Sequence, residues 1–433
     1  MSKKEIILIL SVVVVIGVIV VIIGMISKTQ CKPANLEMWG LYDESNVFTE
    51  FINEFQKASK CSVKITYKKM PVENYEQELI NAFAADKGPD IWMMENTWLP
   101  KYKDIIAELP QDTAKFTIAN YQKTFVQVAE DDLTDQNKIY GIPLYVDTLA
   151  LFYNKDYFDT AGISAPPRTW DEFILDLDKL TKRNQWGGID RAGATLGTSE
   201  NVNRAVDILS LIMLQNGTKM VSSDKKMATI NEGILSSGGT YYPGKDALRF
   251  YTEFSNPSKR TYTWNRQMPY SIDAFADGKA VMMLSYAYQI PTILAKSPYL
   301  HYGISQVPQI KNSQADINYA NYWAYTVSKK SKSPDVAWNF LLYLAQQANA
   351  KRYLQQTNRP TAERDLVDWQ KADNLNLAVF VGQSLSARTW YQIDSTKIEK
   401  MLSDAIESVV LGSATIDKSI ETLNNQLNLL MKL

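Results

Sequence analysis

The side chains able to do chemistry in this 433-residue chain are carboxylates and aromatic rings, because there is one histidine, His301, and two cysteines. One histidine excludes histidine pairs around a metal and removes the usual bridge of a nucleophilic triad, and CxxC and HExxH spacings are absent. No cofactor is expected. Asp147 is the one charge in the run 146–152, where apolar residues fill both alternating faces as in a strand covered on both sides. It reads either as an exposed strand-end aspartate or as a hydrogen-bond acceptor aimed into a cleft. Glu95, Asn96 and Trp98 follow a short apolar strand expected at 90–94, and Trp39 ends another at 36–39. The carboxyl ends of strands in open α/β sheets are where ligands sit. Trp98 reads equally well as packing. Glu95 and Asp147 facing one cleft would supply the two carboxylates of a glycosidase. The 24 tyrosines and 10 tryptophans offer flat faces beyond the needs of a core.

These residues need elements to hold them. Phe48, Phe51, Ile52 and Phe55 are spaced for one face of a helix over 46–60, between strands at 36–39 and 63–67. A helix is expected at 73–85. Thr169 and Glu172 form a T-x-x-E capping box opening a helix over 170–183, with Phe173, Leu177 and Leu180 inward. The glycine-rich segment 187–200 lacks both phosphate-loop spacings and is expected to be a mobile surface loop. Residues 222–244 are polar, with 236–240 irregular. Trp264 lies in a loop, Tyr286 and Tyr288 follow a buried strand at 280–284, and Trp323 opens a strand at 323–327; all four are candidate ligand contacts. Trp390 precedes a helix over 397–411, and a last helix covers 416–430.

Residues 6–26 are 21 consecutive residues without charge, enough for a helix to cross a hydrocarbon core of about 30 Å. The run exceeds a signal-peptide core, and neither its exit nor the residues before Cys31 suit cleavage or lipidation. An uncleaved single-pass anchor in the cytoplasmic membrane is expected, with the rest outside. Cys31 and Cys61 precede two adjacent parallel strands, and a disulfide between them suits that compartment. With 46 basic and 47 acidic residues and no long basic run, nucleic acid is excluded as a partner. About 400 residues beyond the anchor make two domains.

The segment YGIPLYVDTLALFYNKDYFDTAGISAPPRTWDEF (140–173) reads as a crossing between two lobes. With GPDIWMMENTW (88–98), AFADGKAVMMLSYAY (274–288) and NYWAYTVSKKSKSPDVAWNFLLYLA (321–345), it resembles the extracellular solute-binding proteins of sugar ABC transporters, the maltose-binding-protein-like group. The resemblance spans nearly everything after residue 35. It implies an α/β, two-lobed periplasmic-binding-protein-like fold with a hinge of several crossings, here preceded by one transmembrane helix. It also implies a monomer that binds a sugar or oligosaccharide and meets ABC permease subunits. The expected division is 1–35 as anchor and linker, 36–146 with 307–349 as the first lobe, and 147–306 with 350–433 as the second. Carried over by position, Tyr286 or Tyr288 and Trp390 become sugar platforms, and both strand ends near Trp39 and Glu95–Trp98 become sugar contacts. A cell-surface glycan-binding scaffold without transport would share every one of these features.

Overall fold

The computed structural model describes residues 33–59, 62–236 and 238–432. The expected anchor at 6–26 and the Cys31–Cys61 pair lie outside them. Among the described residues, no helix is long and apolar enough to cross a membrane.

The first of two five-stranded sheets runs, in spatial order, Val63–Lys69, Ala34–Gly40, Ile91–Glu95, Trp323–Val327 and Ile142–Pro143. Its first three strands are parallel, as the intervening helices Ser45–Ala58 and Tyr75–Ala84 require of right-handed crossovers. Phe48, Phe51 and Ile52 of the expected stripe are buried. Trp323–Val327 enters antiparallel to Ile91–Glu95 and sets Trp323 opposite Glu95. That register puts both at the end of the sheet where a ligand can reach them.

The second sheet runs Tyr302–Ser305, Ala150–Asn154, Ala280–Ser285, Ile189–Ala194 and Lys182–Arg183. The capping box forms as expected. Thr169 Oγ1 accepts from the Glu172 amide at 3.2 Å, Glu172 Oε2 accepts from the Thr169 amide at 3.2 Å, and Phe173, Leu177 and Leu180 are buried. Segment 187–200 corrects its reading as a surface loop. Ile189–Ala194 is a strand of this sheet, and residues 192–198 are buried. The glycines serve close packing: a Cβ on Gly193 would stand 2.7 Å from Leu177 Cδ2, and one on Gly197, at φ +117°, would stand 2.6 Å from the Ser255 amide nitrogen. The irregular stretch near 236–240 forms a small hairpin of Ile234–Ser236 and Gly239–Tyr241.

Three crossings join the lobes as one ribbon, Ala387–Arg388 parallel to Asn318–Asn321, which pairs antiparallel with Asp147–Thr148. Each lobe keeps its own core. The first groups Met38, Phe48, Trp92, Tyr325 and Trp338, and the second groups Leu151, Phe173, Ile208, Met282 and Leu402. Two lobe boundaries differ from expectation. Val307 packs in the second core, and the chain returns only at Asn318–Asn321. The boundary expected at 350 falls inside the helix Gln347–Thr357, which buries Ala350, Tyr353 and Leu354 in the first core, as do Ala362 and Leu366 further on. The tie is electrostatic as well, since Arg352 pairs with Glu50 and Glu54 on the helix Ser45–Ala58.

Candidate functional site

A cavity of about 540 Å³ opens between the lobes where the ribbon crosses. From the first lobe, Tyr42, Val72, Glu95, Tyr145, Trp323 and Arg359 reach it, from the second Arg204 and Tyr288, and from the ribbon Asp147 and Asn321. Its size falls within the usual range for small-ligand sites, about 300–1,000 Å³. A larger depression of about 670 Å³, beside residues 165–169 and 304–316, has no aromatic ring in its lining.

Each polar group on the wall is braced. Arg204 stands at the N-terminus of the helix Ala205–Gln215 with φ +57°, and its Nε and Nη2 each lie 2.7 Å from Asp207 Oδ2. Arg359, on the other lobe, is held the same way, with Nε and Nη2 donating to Asp43 Oδ1 at 3.2 and 2.9 Å. Its guanidinium also lies 4.4 Å from the Tyr145 ring centroid. Neither Nη1 has a protein hydrogen-bond partner among the described residues, so each arginine keeps a donor for a guest. Glu95 accepts from Asn321 Nδ2 at 2.8 Å. Burial raises the Glu95 pKa, while the Arg204 charge pulls it down. Burial likewise works against the Arg204 charge, but Asp207 keeps that pKa above its ordinary value.

Asp147 behaves differently from a free acceptor. Its Oδ1 takes the Thr148 and Ala287 amides at 2.8 and 3.1 Å, and its Oδ2 takes the Tyr288 amide at 3.2 Å. The carboxylate thus staples the first crossing to the segment carrying Tyr288. Burial pushes its pKa up to about 7 despite those three donors. Tyr288 itself is 44% exposed and stacks on Tyr286, with centroids 5.6 Å apart and planes at 13°.

Of the residues singled out in the sequence, Glu95, Asp147, Tyr288 and Trp323 come together on this cavity. The other six stand behind it or elsewhere. Trp98 packs behind Trp323 with ring centroids 5.0 Å apart. Asn96 is buried and donates to Asp132 Oδ2 at 2.9 Å. Trp39 is buried, with its Nε1 donating to Glu37 Oε1 at 2.5 Å. Tyr286 is fully buried with its hydroxyl donating to Asp207 Oδ2 at 2.6 Å, so it supports Tyr288 and does not face a guest. Trp264 is a core residue of the second lobe, bonded to Asn201 Oδ1 at 3.0 Å. Trp390 is 8% exposed, packs in the same core, and approaches Ser210 Oγ at 3.4 Å.

Tyr42, Val72, Tyr145, Asn321, Arg204 and Arg359 were not picked out. Three carried a usable signal. Tyr145 precedes Asp147 by two, Asn321 precedes Trp323 by two, and Tyr42 lies just past the strand end that pointed to Trp39. The two arginines carried none, since both reach the cavity through tertiary folding.

Comparison with known proteins places this geometry. The maltodextrin-binding protein MdxE of Bacillus subtilis (strain 168) is 26% identical over 385 residues, covering 86% of this chain and 83% of that protein. A galactooligosaccharide-binding protein of the same organism is 22% identical over 413 residues, covering 93% and 91%. Among solved structures, the sugar-binding protein MalE from Xanthomonas citri superposes with a TM-score of 0.75 at 21% identity, over 92% of this chain and 98% of that one. A cyclo/maltodextrin-binding protein complexed with maltotetraose gives 0.73 at 16% identity, over 92% and 97%. The fold is therefore the two-lobed α/β fold of periplasmic binding proteins. With its family profile matching residues 42–351, the chain belongs to the bacterial extracellular solute-binding proteins.

Proposed function

We propose that this protein captures a sugar or oligosaccharide in the cleft between its lobes and delivers it to an ABC permease. The observation carrying this reading is the convergence, from both lobes and the ribbon, of aromatic rings with braced donors and acceptors on one cavity. Tyr288 and Trp323 suit the apolar face of a pyranose, and Glu95, Arg204, Arg359 and Asn321 suit its hydroxyl edge. The names of the relatives, one for maltodextrin and one for galactooligosaccharide, support the ligand class. A glycosidase reading gains nothing from Asp147, whose two oxygens are engaged by three main-chain amides. Native mass spectrometry of the purified protein, followed by calorimetry against a glycan panel, tests the proposal. Retained glycan and saturable binding are expected, and neither appearing sinks it.

The proposal includes the tether at 6–26, a disulfide between Cys31 and Cys61, and a monomeric state. It divides the described chain into 34–146 with 322–366 as first lobe and 149–317 with 367–386 and 389–432 as second, the crossings between. Mass measurement of membrane-extracted protein checks the tether, a mature chain starting near residue 30 or a lipid on Cys31 being the adverse result. Thiol labelling under denaturing conditions checks the disulfide, which predicts no free thiol.

A further inference from the structure

Tyr145, Asp147, Tyr288 and Arg359 line two cavities, the one described above and an adjacent one of about 440 Å³. The second lies against the helix Ile290–Lys296 on one side and residues 357–360 and 374–377 on the other. The walls of the two chambers differ in chemistry. The first carries Glu95 and Arg204 besides the shared pair of charges. The second adds no charge of its own: its further walls are the amides Asn358, Asn374 and Asn376, with Leu294 and Leu377 among the apolar surfaces.

The groups shared by the two chambers are held firmly. Tyr288 is stacked on the buried Tyr286 and has its amide fixed by Asp147. Arg359 is clamped by Asp43, which is itself held by the Tyr353 hydroxyl at 2.8 Å. These two residues come from opposite lobes, and each lines both chambers. A braced constriction does not swing aside cheaply, because moving either side chain gives up hydrogen bonds and ring contacts already made.

We infer that Tyr288 and Arg359 form a fixed waist in one elongated cleft, and that the chamber beyond it receives further uncharged residues of the same oligosaccharide. This rests on the sugar-binding reading above and deepens it. The first chamber, with paired charges and rings, orients one end of the ligand. The amide-rich second chamber sets how much longer the ligand is, since amides and apolar walls suit neutral hydroxylated units of many kinds.

Filling the second chamber without touching the first tests the idea. Leu294 is 45% exposed and lines only the second chamber, so Leu294→Trp should fold normally. Asn376→Trp is an independent second variant on an exposed residue. Calorimetry would use neutral α-glucan, β-galactan and β-mannan oligosaccharides of graded length, with native mass spectrometry for retained glycan. For the series that binds, wild-type affinity should rise roughly tenfold or more from the shortest to the longest member. Both tryptophan variants should lose that gain while keeping the affinity for the shortest ligand and the melting temperature. If the wild type binds some glycan but is indifferent to length, or if both variants keep the full gain, the second chamber is not part of the site and only this inference falls. If the wild type neither binds any series nor retains glycan, the sugar-binding reading falls and takes this inference with it. Should one variant fail to fold, the other decides alone.

Discussion

Asp132 is a half-buried carboxylate with three donors and, among the described residues, no cation. It accepts from Asn96 Nδ2 and the Tyr322 hydroxyl, each at 2.9 Å, and from the Thr389 hydroxyl beyond the third crossing. Burial raises its pKa to about 7 in spite of those donors, with Asp131 adding to the shift. The unfolded value is about 3.9, so between the two the folded protein holds a proton that the unfolded chain does not. Its stabilising contribution is full below the unfolded value and is lost as pH rises through about 7. Asp147, at about 7, and Glu363, at about 8, tilt the same way. Melting temperature should therefore fall between about pH 5 and 8, and Asp132→Asn should flatten that fall; an unchanged slope would show that Asp132 does not titrate there. Arg359→Ala should cost about 3 kcal/mol of stability, because it leaves Asp43 buried and unpaired, and should weaken ligand binding as well. Trp390→Ala should instead cost about 3–5 kcal/mol of stability through a core cavity, measurable by denaturant unfolding in the absence of ligand. At this scale the sequence told which strand ends approach the cleft but not which side chain at each end faces it. Tyr286 and Tyr288 illustrate the reason: two residues apart and stacked on each other, one is sealed by Asp207 and the other is open to the cavity.

Elements with a strong period or a cap were legible, and the exceptions have a common cause. The helix Ile416–Leu430 matches its expected limits, and Trp170–Leu180 begins at its capping box. The strand Ile189–Ala194 was missed because IDRAGA has a single β-branched residue, two charges and then only the small Ala192, Gly193 and Ala194, whose value lies in what packs against them. Gly197→Ala should accordingly be severe for a one-methyl change. It places a Cβ at φ +117° and 2.6 Å from the Ser255 amide nitrogen, so strain and overpacking together should cost about 3 kcal/mol. Chemical denaturation decides this, and a cost below about 1 kcal/mol would mean the backbone there yields easily. The lobe boundary near 350 failed for a related reason. The helix Gln347–Thr357 has a low apolar content, and its membership of the first lobe is set by Tyr353 and Arg352 reaching back to Asp43, Glu50 and Glu54.

At the scale of the whole molecule the lobes touch directly as well as through the ribbon. Lys101 lies 2.9 Å from Glu76 in its own lobe and 3.2 Å from Asp394 in the other, and Thr396 donates to Glu76 at 3.3 Å. Such partly exposed pairs contribute about 0.2–1 kcal/mol, so Lys101→Ala should weaken ligand affinity by no more than about fivefold. The deficit should vanish at high salt, where the pair is screened in the wild type too. Ligand should also reduce the radius of gyration in X-ray scattering, as hinge closure requires. The interleaved sheet order has a further effect, on the growing chain. The central strand Trp323–Val327 fits between Ile91–Glu95 and Ile142–Pro143, so the apolar edge of Ile91–Glu95 has no neighbour on that side until residue 327 has been made. At about 5–20 residues per second, synthesis leaves that edge bare for roughly 10–50 s. Unpaired apolar edges recruit other chains. A fragment ending at residue 320 should therefore aggregate where the longer chain stays dispersed, and the yield of this protein depends on what shelters one strand for that interval.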